Sequence, residues 1–288
     1  MRPRSTNSII SAYSLIASGL YNAVLVAGAE KTDGPGYRLK SDVTRGSYSF
    51  PVHWGALFAK AYMRKYRISE EQIATVPVYN RRRAACNPNA LFRSEISIPE
   101  VMASRKIVEP LKLLDCSAAC EGSSAVLLVS EAIVDKFENA VWINGIGQQT
   151  ISASFANASN DLTSIDAAVA ASKRAYRMAG LGPTQIDITE LHDAFSILQL
   201  IAVEDLGYAD KGKAFDFIEN TWTRINSRGG IIGCGHPVGA TGVAQVAEIV
   251  TQLAGEAGHR QVKGCSNGLV HNLSAAGSSA TIMIMGCN

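Results

Sequence analysis

Histidine is the side chain whose ordinary pKa lets it take and return a proton near neutral pH. Three of the five histidines in this chain fall where the backbone is expected to turn tightly. His236 lies in the run Gly-Gly-Ile-Ile-Gly-Cys-Gly-His-Pro-Val-Gly-Ala-Thr-Gly at 229–242, directly ahead of a helical pattern. Pro237 fixes the backbone after the imidazole, and the glycines allow main chain and substrate to approach closely. His236 is therefore a candidate base toward a thiol or a carbon acid. His192 begins His192-Asp193-Ala194-Phe195 at the end of a strand pattern, placed to hydrogen-bond a developing oxyanion directly or through water. Asp193 is expected to cap the helix that follows. His271, followed by Asn272, ends another apolar run before small residues at 273–277, and it reads equally as catalytic or structural. Cys234, two residues before His236, could serve as a proton donor, although a cysteine in such a loop is more often a packed small residue.

The elements that must carry these groups follow from periodicity. A helical pattern at 7–18 stops at Gly19, and an unbroken apolar run at 23–28 reads as a strand buried on both faces. Similar runs occur at 125–129 and 280–284, each entered through Gly-Ser-Ser-Ala, at 122–125 and 277–280. A helix at 243–253, Gly255 and a strand at 262–270 mirror the helix, glycine and strand of the N-terminus. The expectation is an α/β chain built from a duplicated unit, 1–137 and 138–288. Further strands are expected at 141–146 and 186–191, and helices at 163–180, with Thr163 or Ser164 as N-cap, and 195–206.

An insertion at 33–115 separates the first two strands and contains a helical pattern at 54–66 and the capping box Ser69-Glu70-Glu71-Gln72. It holds 14 Lys and Arg against 8 Asp and Glu, whereas the whole chain carries a net charge of only +2. That local excess suits an anionic ligand or simply a solvated basic surface. At 288 residues, 47% hydrophobic and 18% charged, the composition excludes a disordered tail and gives nucleic-acid binding no support. Six cysteines without paired CxxC spacing, and no apolar run of membrane-spanning length, lead to the expectation of a reduced, cytoplasmic protein without metal knuckles or membrane spans.

With those residues in view, the chain resembles the thiolase superfamily, in particular its sterol-carrier-protein (non-specific lipid-transfer) thiolase branch. The Gly235-His236-Pro237 segment carries the resemblance most specifically, supported by His192-Asp193-Ala194-Phe195, by His271-Asn272-Leu273 and by the segment 115–125. The resemblance implies duplicated α/β/α layers with an inserted CoA-binding loop domain. It also implies acetyl-CoA C-acyltransferase chemistry, a Claisen condensation or its reversal in lipid metabolism, and a homodimer or homotetramer. Coenzyme A thioesters would be substrates, with no separate cofactor. By the same resemblance His236 activates the nucleophile, His192 binds the water of an oxyanion hole, Ser117 touches the pantetheine arm, and His271 falls near the position of a second cysteine in other branches.

Two departures stand against that pattern. The family's nucleophilic cysteine would fall near Arg2, and no cysteine precedes Cys86; the first half is expected to be truncated, and the chain as it stands is expected to be inactive in acyl transfer for lack of that nucleophile. Ala194 stands where the branch carries its acid/base cysteine. Relatives lacking both cysteines suggest two alternatives: an aldol-type lyase on acyl-CoA with an OB-fold partner protein, or a non-catalytic acyl-CoA-binding subunit.

Overall fold

The computed structural model describes residues 5–32, 50–152, 161–274 and 277–287. Helix α1 (Ser5–Ala17) leads through Gly19, whose φ of +76° suits glycine, into strand β1 (Ala23–Glu30). The chain between β1 and the next long strand contains α2 (Pro51–Tyr66), α3 (Glu70–Ala85), α4 (Ile98–Ala103) and a small hairpin of β2 (Lys106–Val108) and β3 (Leu111–Lys112). It returns in β4 (Gly122–Val129), antiparallel to β1 with Leu25 opposite Leu127.

The second half contributes β5 (Trp142–Thr150), α5 (Asp166–Ala179), β6 (Ile188–Glu190), α6 (Ser196–Asp205), α7 (Ala214–Thr221), α8 (Gly230–Cys234), α9 (Thr241–Leu253), β7 (Asn267–Leu273) and β8 (Ser279–Gly286). Its sheet runs β5-β8-β7-β6, with β7 and β8 antiparallel. The series α9, β7, β8 thus repeats α1, β1, β4, and each terminal strand begins at its Gly-Ser-Ser-Ala. The duplication read from sequence is a duplication in space.

α1 and α9 pack together between the two sheets. Their seam is apolar: Ile9 and Ala12 meet Val26, Val243, Val246, Ile249, Val270 and Met283, all buried. Each large side chain removed from water there contributes about 1.5–3 kcal/mol. On the opposite face of the second sheet, α5 lies directly on β5 and β8. The approach is so close that a Cβ at Gly147 would overlap the carbonyl oxygen of Ala171 on α5. Gly147→Ala is therefore expected to destabilise the protein by at least about 2 kcal/mol, read as a lower midpoint of denaturant unfolding. An unchanged midpoint would mean that helix and strand are farther apart.

Several expectations need correction. The β1/β4 sheet is not buried on both faces: Leu25 is 67% and Leu127 50% exposed, because no described element covers the side away from α1 and α9. α5 starts at Asp166 behind Ile165, and neither Thr163 nor Ser164 caps it. The side chain of Asp205 instead fixes the residues that lead into the helix, accepting from the Ile165 amide at 2.7 Å and the Ser164 hydroxyl at 2.6 Å. The run at 262–270 becomes strand only from Asn267. In the insertion, the Ser69–Gln72 capping box forms as expected. Part of the basic excess, however, is internal wiring. Lys112 is buried against Glu70, and Arg83 donates to the carbonyls of Ser227 and Arg260 in the second half. Arg38, Lys40 and Arg45 lie outside the described residues.

Candidate active site

The segment 116–120 threads between the two histidine motifs. The Ser117 amide donates to the Ala194 carbonyl at 2.9 Å, and the His236 amide donates to the Ala118 carbonyl at 2.8 Å. This places the His192 and His236 rings 5.3 Å apart, edge to face at 80°. Ser117 is half-buried beside both motifs. His271 stands behind His192: it is fully buried within β7, and its Nδ1 accepts the His192 backbone amide at 3.4 Å. Its observed contact is thus one that positions His192. The place expected for a nucleophile, near Arg2, lies outside the described residues.

Asp193 does not cap its own helix; α6 starts behind Phe195 with no side-chain cap. The fully buried carboxylate turns instead to α8, accepting from the amides of Ile231 at 2.6 Å and Ile232 at 3.2 Å, and from Asn80 Nδ2 at 2.7 Å. Close packing here explains the first two glycines of the 229–235 run. Gly230 has φ +60°, and a Cβ there would overlap Asp193, while a Cβ at Gly229 would collide with Ala84 of α3. The glycine-rich run is not wholly loop, since its first part is α8. Beyond His236 the chain touches β1: a Cβ on Gly239 would lie 2.6 Å from the Ala29 carbonyl oxygen, and the Gly239 amide donates to Glu30 at 2.9 Å.

Burial, assisted by the Arg228 guanidinium and opposed by Glu30, pushes His236 from 6.5 down to about 4. The ring is thus neutral at physiological pH, with a lone pair available to a proton. Cys234 is poorly suited to proton chemistry. Burial pushes its thiol up to about 11, despite Arg228, and the Sγ proton is directed to the Arg228 carbonyl at 3.0 Å. Burial likewise raises Cys116 to about 12, whereas Cys86 and Cys287 are exposed. Iodoacetamide at pH 8 is expected to label Cys86 and Cys287 first and to leave Cys234 and Cys116 unmodified in the native state. Early mass-spectrometric modification of Cys234 would overturn this arrangement.

Sequence reading missed the polar residues that brace the site. Asn80 Nδ2 also donates to Gln199 Oε1 at 2.8 Å, Asn226 Nδ2 donates to the same oxygen at 2.8 Å, and the Leu191 amide donates to Asn226 Oδ1 at 2.6 Å. Thr241 contacts His236, and Asn272 contacts His192. Adjacency to His271 was the sequence signal for Asn272 and membership of the 229–242 run that for Thr241, while Asn80, Gln199 and Asn226 had none.

Residues 147–287 match the family described as "Thiolase C-terminal domain-like". An acetyl-CoA acetyltransferase of Methanothermobacter thermautotrophicus is 38% identical, over 93% of this chain and 74% of the relative. The chain belongs to the thiolase superfamily. Human sterol carrier protein 2 is 34% identical over 95% of this chain and 55% of its own length, which sets the chain in the sterol-carrier-protein-like branch. The chain thus spans about three quarters of the first relative and about half of the second. A structure described as an Ltp2-ChsH2(DUF35) aldolase superposes with a TM-score of 0.87 at 26% identity, over 98% of this chain and 77% of that one. Human mitochondrial 3-ketoacyl-CoA thiolase in complex with CoA shares the fold, with a TM-score of 0.73 at 18% identity, over 99% of this chain and 76% of that one. Among the described residues, no helix is long and apolar enough to cross a membrane.

Proposed function

We propose that the protein forms an enolate beside the thioester carbonyl of an acyl-CoA, the half of the thiolase-type acyltransferase reaction that makes or breaks the carbon–carbon bond and needs no nucleophilic cysteine. The paired imidazoles of His192 and His236 carry this reading. His236 takes the proton from the substrate α-carbon, the C–H electron pair moves into the thioester as an enolate, and His192 donates a hydrogen bond to the enolate oxygen. Ser117, between the two motifs, lies along the path of the pantetheine arm.

Exchange of the α-protons of acetyl-CoA in D2O tests this half of the chemistry, because exchange needs base and oxyanion donor but no acyl-enzyme. Incorporation of deuterium is expected, and none would sink the proposal. A second reading, aldol-type cleavage of a β-hydroxyacyl-CoA with an OB-fold partner, is favoured by Ala194 and by the engaged thiol of Cys234. It predicts release of a ketone or aldehyde. Exposed cations of the insertion are proposed to meet the CoA phosphates, so that dephospho-CoA binds more weakly than CoA. Equal affinity would exclude contact with the 3′-phosphate.

A further inference from the structure

We infer that Thr241 and Asn272 hold the two site histidines in opposite tautomers, leaving Nε2 of His236 unprotonated and Nε2 of His192 protonated. The inference deepens the proposed function, because it says which imidazole is base and which is donor. Each assignment is anchored on a backbone carbonyl, a group that only accepts.

The Thr241 hydroxyl donates its single proton to the Pro237 carbonyl at 3.0 Å. Toward His236 Nδ1, 2.9 Å away, it can then only accept. Nδ1 therefore carries the ring proton, and Nε2 keeps its lone pair. On the other side, Gln245 Nε2 donates to the His271 carbonyl at 3.3 Å, which leaves Gln245 Oε1 as an acceptor. Asn272 Nδ2 donates to that oxygen at 2.8 Å, which sets the amide orientation, and Asn272 Oδ1 accepts from Thr6 at 3.1 Å. Nδ2 lies 3.3 Å from His192 Nδ1 and faces it as a donor. His192 Nδ1 is therefore unprotonated, and the ring proton sits on Nε2. A neutral imidazole with that proton can donate to an oxyanion; the opposite tautomer cannot. Thr241 and Asn272 are positioning residues in this scheme.

Imidazole 15N shifts of the full chain at pH 7 test the inference without reference to turnover. Wild type is expected to show a pyridine-type Nε2 on His236 and a pyridine-type Nδ1 on His192. Thr241→Val moves the His236 proton to Nε2 and lowers the exchange rate about 100-fold, while Thr241→Ser restores both. Asn272→Asp offers His192 an acceptor in place of a donor, pulls the proton to Nδ1 and slows exchange similarly. Either wild-type histidine in the other tautomer, or an unmoved tautomer in Thr241→Val, overturns the inference. The stated tautomers with no exchange on any acyl-CoA would instead refute the proposed function and leave the tautomer assignment standing.

Discussion

Replacing His236 with glutamine is expected to slow α-proton exchange of acetyl-CoA by roughly 10²–10⁴-fold, with little change in the thermal midpoint. Glutamine keeps a polar group of similar reach but has no basic nitrogen. The wild-type ring reaches its working form through its surroundings: burial and Arg228 hold it neutral until about pH 4. Exchange therefore stays on a plateau through pH 5–7 and falls only as the ring takes up a proton near pH 4. The same displacement links folding to acid. The unfolded chain protonates this histidine near 6.5 and the folded chain near 4, so its contribution to stability is lost as pH falls across that window. A 13C-edited NMR titration of His236 with its midpoint at 6.5 would contradict both statements.

Asp193→Asn is expected to produce the largest structural effect near the site, a loss of about 2–4 kcal/mol at neutral pH. The substitution conserves volume but turns one acceptor oxygen into a donor that faces donors, namely the amides of Ile231 and Ile232 and Asn80 Nδ2. The cost depends on pH with a definite sign. Burial raises the Asp193 carboxyl from 3.8 to about 6, so the folded protein binds the proton more tightly than the unfolded chain. That contribution is fully present in acid and fades as pH rises from about 4 to 6, a change of about 2–3 kcal/mol. Because asparagine has no such titration, the substitution should cost more at pH 4 than at pH 7 in parallel urea denaturations. A pH-independent cost would remove Asp193 from its buried setting.

The parts of this molecule that were legible in the sequence are those with local signatures. Gly19 marks a helix end, Ser69 and Gln72 close a capping box, and the repeated Gly-Ser-Ser-Ala shows the duplication. His236 and His192 stood out because glycines, a proline and a strand end surround them. The remainder depends on partners distant in the chain. Asp193 looked like the cap of the adjacent helix, but it serves amides 38 and 39 residues away. Asn80, Asn226 and Gln199 act on backbone and side chains that periodicity does not connect. The apolar run of β1 was read as doubly buried because hydrophobicity alone does not reveal whether a second layer covers the outer face.

Where Gly239 meets the end of β1, main chain presses on main chain at Gly28 and Ala29, and the Gly239 amide is tied to the Glu30 carboxylate. Any loosening of the β1/β4 ribbon is therefore transmitted directly to the turn that aims His236. On warming, the proposed α-proton exchange should fade while α5, α6 and the large sheet still hold their helical and strand signals, making exchange the most sensitive thermometer of the N-terminal half.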